Sequence, residues 1–270
     1  MANLAELPSA KGEFMDLMWL ATIPLPLYDD GEPVMDKGCF ITGTDTGVGK
    51  TLVAAGLAAL YKNKGLNVGV MKPIATGCKR VNNRLISDDA VFLKLSAEVE
   101  DDYELINPIS LEQPLAPTVA ARLSNTKIDL EKIRTAYETL SERHDSLIVE
   151  GIGGLLVPIH EYYFVVDLAN EMELPLIVVC RPTLGTINHT LLTVSYARAH
   201  GLEIKGIIIN ESIENNDAIV KKTNTEEIKR LTGLPILGII PFDKRLDIKD
   251  YNKEILIKIF SDNIDKDIII

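Results

Sequence analysis

Gly43-Thr-Asp-Thr-Gly-Val-Gly-Lys-Thr51 is the stretch that decides the fold. It follows the apolar run Cys39-Phe-Ile-Thr-Gly43, which reads as a buried strand. It precedes a helical pattern over 51–64, with apolar Leu52, Ala55, Leu57 and Leu60 at roughly helical spacing. Strand, glycine-rich turn, Lys-Thr and helix in this order make a phosphate-binding loop. Gly47 and Gly49 let the backbone curl so that its N–H groups point inward. The helix beginning near Lys50 adds unpaired N–H groups and the positive end of its dipole. Lys50 supplies a point charge for β- and γ-phosphates, and the Thr51 hydroxyl suits Mg²⁺. The strict GxxxxGK[ST] pattern would place a glycine at Thr44; here it stands one residue earlier, at Gly43.

Working outward, short β-branched runs alternate with helical patterns. Further strands are expected at 67–71, 146–150, 176–180, 207–210 and 236–240. Helices are expected at 88–97 and 129–144, the latter with Asp129 as N-cap. The strands are nearly continuous apolar runs, the mark of a parallel sheet covered on both faces. The expected fold class is therefore α/β: a P-loop NTPase-like, doubly wound, mostly parallel sheet with helices on both faces, in a single domain over 38–270. Ligands of such sheets bind at the carboxyl ends of the strands. Gly43, Lys72, Glu150, Arg181, Asn210 and Pro241 all fall at or just past such ends, where one pocket could collect them.

Composition sets the outer limits. The chain has 270 residues and a net charge of −11. That balance disfavours nucleic acid, whose binding is driven by clustered Lys and Arg. Cys39, Cys78 and Cys180 form no CxxC pair, so neither a disulfide framework nor a zinc site is expected. Cys39 and Cys180, in apolar runs, read as core thiols, which fits a reducing, cytoplasmic setting. Residues 1–37 read as an N-terminal extension. Its one apolar stretch, 15–27, carries Asp16, Pro24 and Pro26 and is too short to span a bilayer. The C-terminal stretch 251–260 reads as a packed amphipathic helix, not an anchor, because it has no basic face.

Other groups gain meaning from position. Lys72 ends a strand and is followed by Pro73, so it points from the strand end into the crevice or out to solvent. Glu150 ends an apolar strand and precedes Gly151-Ile-Gly-Gly154, as a Mg²⁺-ligating acid would; its plain alternative is a solvated or capping acid. Asp88 and Asp89 open a helix, where acids are favoured in any case. Asn210 offers both a donor and an acceptor, enough for an adenine edge or for a turn.

Together these segments resemble dethiobiotin synthetase. The pieces are GTDTGVGKT at 43–51, KPIATG at 72–77, DDA at 88–90, VEGIGG at 149–154, GTINH at 185–189, the strand ending in Asn210, and Pro241-Phe-Asp243. They run in family order over about 39–243. The resemblance implies ATP-dependent carboxylation of 7,8-diaminopelargonate with CO₂ and closure of a cyclic urea, through a carbamate and a carbamic–phosphoric anhydride. It implies Lys50, Lys72 and Thr46 as catalytic groups and Thr76, Gly185, Thr186 and Asn188 as substrate contacts. It implies nucleotide contacts at Asp45, Gly47, Val48, Gly49, Lys50, Thr51, Glu150, Gly151, Gly153, Asn210, Pro241, Phe242 and Asp243. Thr51, Asp89 and Glu150 would hold Mg²⁺, with Asp89 preferred to Asp88 because it directly precedes Ala90. A homodimer, with the substrate carboxylate near its interface, is implied in the same way. The competing reading is a regulatory ATPase switch of the MinD and ParA kind. Those carry a lysine five residues before the loop lysine, where this chain has Asp45. A cobyrinic acid amide synthetase would need a glutaminase domain, for which no room follows residue 243.

Overall fold

Cys39, Phe40 and Ile41 are all essentially inaccessible to solvent, so the first strand is covered on both faces. The computed structural model describes residues 38–211, 218–246 and 251–265, and the expected extension at 1–37 lies outside them. In chain order the elements are β1 (Gly38–Gly43), α1 (Lys50–Asn63), β2 (Val68–Met71), β3 (Ile74–Thr76), β4 (Lys79–Val81), β5 (Arg84–Ile86) and α2 (Asp88–Ala97). Then come α3 (Tyr103–Ile106), β6 (Ile109–Leu111), α4 (Pro117–Leu123), α5 (Leu130–Arg143), β7 (Ser146–Glu150), β8 (Pro158–His160), β9 (Tyr163–Phe164) and α6 (Val165–Met172). The last are β10 (Leu176–Cys180), α7 (Thr186–Ala199), β11 (Ile204–Asn210), α8 (Ala218–Thr232), β12 (Ile236–Ile240) and α9 (Lys253–Asn263).

The central sheet has the order β12-β11-β10-β1-β7-β2, and every pairing in it is parallel. Alternate residues of each strand feed opposite layers. Cys39, Ile41, Ile148, Ile177 and Ile208 pack under α1, α2 and α9. Phe40, Leu147, Val149 and Leu176 pack on α5 and α6. Val178, Cys180, Ile207 and Ile209 meet α7 and α8. The α/β, doubly wound expectation is met. The expected core thiols Cys39 and Cys180 are buried and free, and Cys78 joins them.

Element ends differ from the sequence reading by small amounts. β11 begins at Ile204, three residues before the expected 207, because Leu176 pairs with Ile204 across a bulge. Asp129 accepts from Glu131 N and Lys132 N, the N-cap that its position predicts. The C-terminal stretch forms α9, which buries Leu256, Ile259 and Phe260. No helix among the described residues is long and apolar enough to cross a membrane.

One contact fixes how α9 sits on α1. A Cβ on Gly56 would lie 2.2 Å from Phe260 Cζ, and that ring is fully buried. Gly56→Ala is expected to destabilise the fold by about 1–3 kcal/mol, since overpacking outweighs the gain in helix propensity. Urea titration checks this, and Phe260→Leu in the same background should recover part of the loss. Equal or greater stability of Gly56→Ala alone would contradict the packing described.

Candidate active site

The phosphate loop leaves β1 at Gly43 and enters α1 at Lys50. A Cβ on Gly43 would meet the Val48 side chain at 2.8 Å and the Lys50 stem at 3.1 Å, which explains a glycine here and not at Thr44. Gly47 and Gly49 have φ of 74° and 94°, a region that favours glycine. Gly49 is the N-cap of α1 and offers no side chain to cap the helix, so its first N–H groups are free for an anion. Lys50 Nζ donates to the Asp45 carbonyl at 3.0 Å. The Asp45 carboxylate accepts from Thr46 N at 2.7 Å and from Arg181 Nη2 at 3.2 Å.

Behind the loop lies a buried charge cluster. Lys72 Nζ is 2.6 Å from Glu150 Oε1 and 3.1 Å from Asp89 Oδ2. Thr51 Oγ1 donates to Glu150 Oε1 at 2.8 Å. Lys72 is 4% exposed and Glu150 1%. Of the two readings open for each, the strand-end lysine points inward, and Glu150 is neither a solvated acid nor a cap. Burial opposes the Lys72 charge, but Glu150 and then Asp89 outweigh it and hold its pKa above the usual lysine value. Burial pushes the Glu150 carboxyl up, with Lys72 opposing. Burial, followed by the repulsion of Lys72, brings Lys50 down to about 8. Asp88 turns away to pair with Lys79 at 2.5 Å, while the N-cap of α2 is Ser87.

Thr46, Gly47, Lys50, Lys72, Thr76, Asp89, Glu150 and Gly153 line a cavity of about 470 Å³. Its lining also includes the apolar Pro114, Leu115, Ala116, Pro117, Ile152 and Val157. Pro114 to Pro117 and Val157 escaped the sequence reading, because no ionisable group marks them. Asn107 escaped it too. It is buried, and its Nδ2 donates to the Lys72 carbonyl at 2.6 Å while Lys72 N donates to Ile106 O, so the backbone of Lys72 is held from both sides.

The strand-end residues are not all collected by this cavity. Asn210 Nδ2 donates to the Val48 carbonyl at 2.9 Å, which turns the side chain onto the loop, and its buried Oδ1 has no partner among the described residues. Gly151 N donates to Ile41 O, tying the end of β7 to β1. Pro241 and Phe242 lie exposed past β12, and paired Arg245 holds the Asp243 carboxyl down to about 2. Gly185 is the uncapped N-cap of α7, with φ 92°; Thr186 Oγ1 is buried with no partner among the described residues, and Asn188 is exposed. This helix end is not part of the cavity lining.

Hard oxygens gather around Lys72: the Thr51 hydroxyl, the Asp89 carboxylate and Glu150, whose buried Oε2 has no partner among the described residues. Two carboxylates and a hydroxyl match the protein share of a Mg²⁺ site completed by phosphate oxygens and water. No group of three or more His, Cys, Asp or Glu side chains able to hold a metal exists among the described residues.

Residues 37–249 match the family model described as "AAA domain". The chain is 46% identical over 233 residues to "ATP-dependent dethiobiotin synthetase BioD" of Thermodesulfovibrio yellowstonii, covering 84% of this chain and 97% of the relative. The protein of that name from Bacillus subtilis is 42% identical, covering 84% and 95%. Among solved structures, "MinC:MinD cell division protein complex" of Aquifex aeolicus aligns with TM-score 0.51 and 18% identity, over 79% of this chain and 85% of that one. That likeness concerns the fold alone. Nucleotide loop, charge cluster and sequence relationship lead to one assignment: the chain belongs to the ATP-dependent dethiobiotin synthetase family.

Proposed function

We infer that residues 38–270 act as one P-loop domain that converts 7,8-diaminopelargonate and CO₂ to dethiobiotin at the expense of ATP. The observation that carries this reading is a cavity whose lining combines phosphate-loop residues and two buried lysines with apolar side chains. A triphosphate needs the first set. A diamine on a methylene chain needs the second.

One substrate amine, in its neutral form, adds to CO₂ and releases a proton to give a carbamate. A carbamate oxygen attacks the γ-phosphorus and ADP leaves. The second amine attacks the carbonyl carbon of the resulting anhydride, the urea ring closes, phosphate departs and the amine proton is released. The protein's part is positioning and charge stabilisation. Lys50 and the N–H groups of the loop face the β- and γ-phosphates. Lys72 is placed to balance charge between phosphate and carbamate, and Thr46 and Thr76 offer hydrogen bonds beside it. Mg²⁺ held by Thr51, Asp89 and Glu150 would offset charge on the β- and γ-phosphate oxygens. Asn210 and Pro241 to Asp243 would frame the base, and Gly151 and Gly153 would contribute further nucleotide contacts. The uncapped start of α7, with Gly185, Thr186 and Asn188, suits the distal carboxylate. Because that helix end is not part of the cavity lining, a homodimer delivering it from the partner is the arrangement proposed. A cytoplasmic setting accords with the three free cysteines.

The test is a coupled assay. Purified protein with Mg-ATP and bicarbonate should release phosphate only when 7,8-diaminopelargonate is added, with dethiobiotin formed in equal amount. Phosphate release indifferent to the diamine, with no urea product, would remove the assignment.

A further inference from the structure

The phosphate loop carries an acid, Asp45, where an anion must approach. Its side chain is 52% exposed, so it is not hidden from an incoming ligand. Around the cavity and loop, three cations (Lys50, Lys72, Arg181) face three carboxylates (Asp45, Asp89, Glu150). Lys72 is committed to Glu150 and Asp89. Lys50 hydrogen-bonds Asp45 through its carbonyl and feels the carboxylate only as the last and smallest of the charges acting on it. Among the described residues, the one cation on the Asp45 carboxylate is Arg181, 136 residues away in sequence, at 3.2 Å.

Arg181 is built to stay there. It directly follows β10, the neighbour of β1, and Thr44 N donates to Val179 O, which ties the two strand ends together. Pro182 fixes the next φ, and Asn224 of α8 donates to the Pro182 carbonyl at 2.9 Å. As a stabilising ion pair it counts for little, since both partners are partly exposed. Its consequence is electrostatic and local.

We propose that Arg181 is the counter-ion of the phosphate loop: it neutralises Asp45, so that the loop does not repel the triphosphate. It is a positioning residue acting through Asp45, with no contact of its own to the reacting atoms. ATP remains anionic even as its magnesium complex, so one uncompensated carboxylate at the mouth of its site should weaken binding about 10-fold. The loss would fall on ground state and transition state alike, and so on KM and not on kcat.

The proposal rests on ATP being the triphosphate used, which wild-type turnover in the coupled assay tests separately. In that assay Arg181→Ala should raise KM for ATP about 10-fold with kcat within about 3-fold, and the gap should narrow as salt screens the site. Arg181→Lys keeps the charge and should stay within about 3-fold of wild type. Asp45→Asn placed in the Arg181→Ala background retains an acceptor for Thr46 N but removes the charge, and should bring KM back toward wild type. An unchanged KM in Arg181→Ala would overturn the proposal. So would a raised KM that Asp45→Asn fails to restore, because Arg181 would then act on the phosphates directly or through the fold.

Discussion

Lys50→Ala is expected to lower diamine-dependent ATP turnover about 10³-fold while leaving the protein folded. Phosphoryl transfer gives a protein little covalent work, and removing one preorganised group aimed at developing charge costs on the order of 10²–10³. Lys50 is 7% exposed, and its ammonium is hydrogen-bonded to the loop's own carbonyl. Burial, with Lys72 second, brings it from 10.5 to about 8. Keeping it charged at pH 7 therefore costs the fold stability, and loss of its packed stem offsets part of what alanine would recover. The variant's unfolding free energy at pH 7 should lie within about 2 kcal/mol of wild type. The sign with pH follows. Between about 8 and 10.5 the unfolded chain holds this proton and the folded chain has released it. Wild type should thus gain stability relative to the variant as pH rises through that window. Turnover near the wild-type rate in Lys50→Ala would remove the phosphate-loop reading, and a collapse of stability would mean that the residue serves the fold first.

Much of the fold is legible in the sequence because its central strands are buried on both faces. Runs such as Leu176–Cys180 and Ser146–Glu150 have no polar alternation to mislead, and each ends where the glycines or charges begin. The hairpin of β4 and β5 is not legible in the same way. Its three-residue strands are largely exposed, and its signal is the Asn82-Asn83 turn, both residues with positive φ. β8 and β9 also escape the sequence reading, since two- and three-residue strands carry too little periodicity to register, and so does the short helix α6 that follows them.

The site divides in the same way. Charged residues at strand ends announce themselves, and the structure brings Asp89 and Glu150 within hydrogen-bonding reach of Lys72. What the sequence does not show is distance across the chain. Nothing local links Arg181 to Asp45, or Asn210 to the carbonyl of Val48. Nor does a stretch such as Pro114–Pro117 reveal that it faces a phosphate loop more than sixty residues earlier.

Lys72→Ala should act on both stability and turnover, and the two effects can be separated. Removing Lys72 strands Glu150, which is 1% exposed, beside Asp89 without the cation that both carboxylates share. Breaking a buried pair by deleting one partner costs about 3–5 kcal/mol, because the remaining charge is left without compensation. Urea titration of the ligand-free protein should show that loss. Turnover should fall about 10²–10³-fold if the Lys72 ammonium has the proposed role of balancing charge between phosphate and carbamate. Adding Glu150→Gln to Lys72→Ala removes the stranded charge and keeps an acceptor for Thr51 Oγ1. That double variant should recover a good part of the stability and none of the turnover. If Lys72→Ala were as stable as wild type, the pair would not be the buried, mutually dependent one described. If the double variant regained turnover along with stability, Lys72 would matter only for holding the fold together. Stability rescued without activity shows that the Lys72–Glu150 pair serves the chemistry as well as the fold, and Lys72→Arg, which keeps the cation and leaves Glu150 in place, separates the two: turnover well above that of Lys72→Ala would assign the Lys72 charge to the reaction.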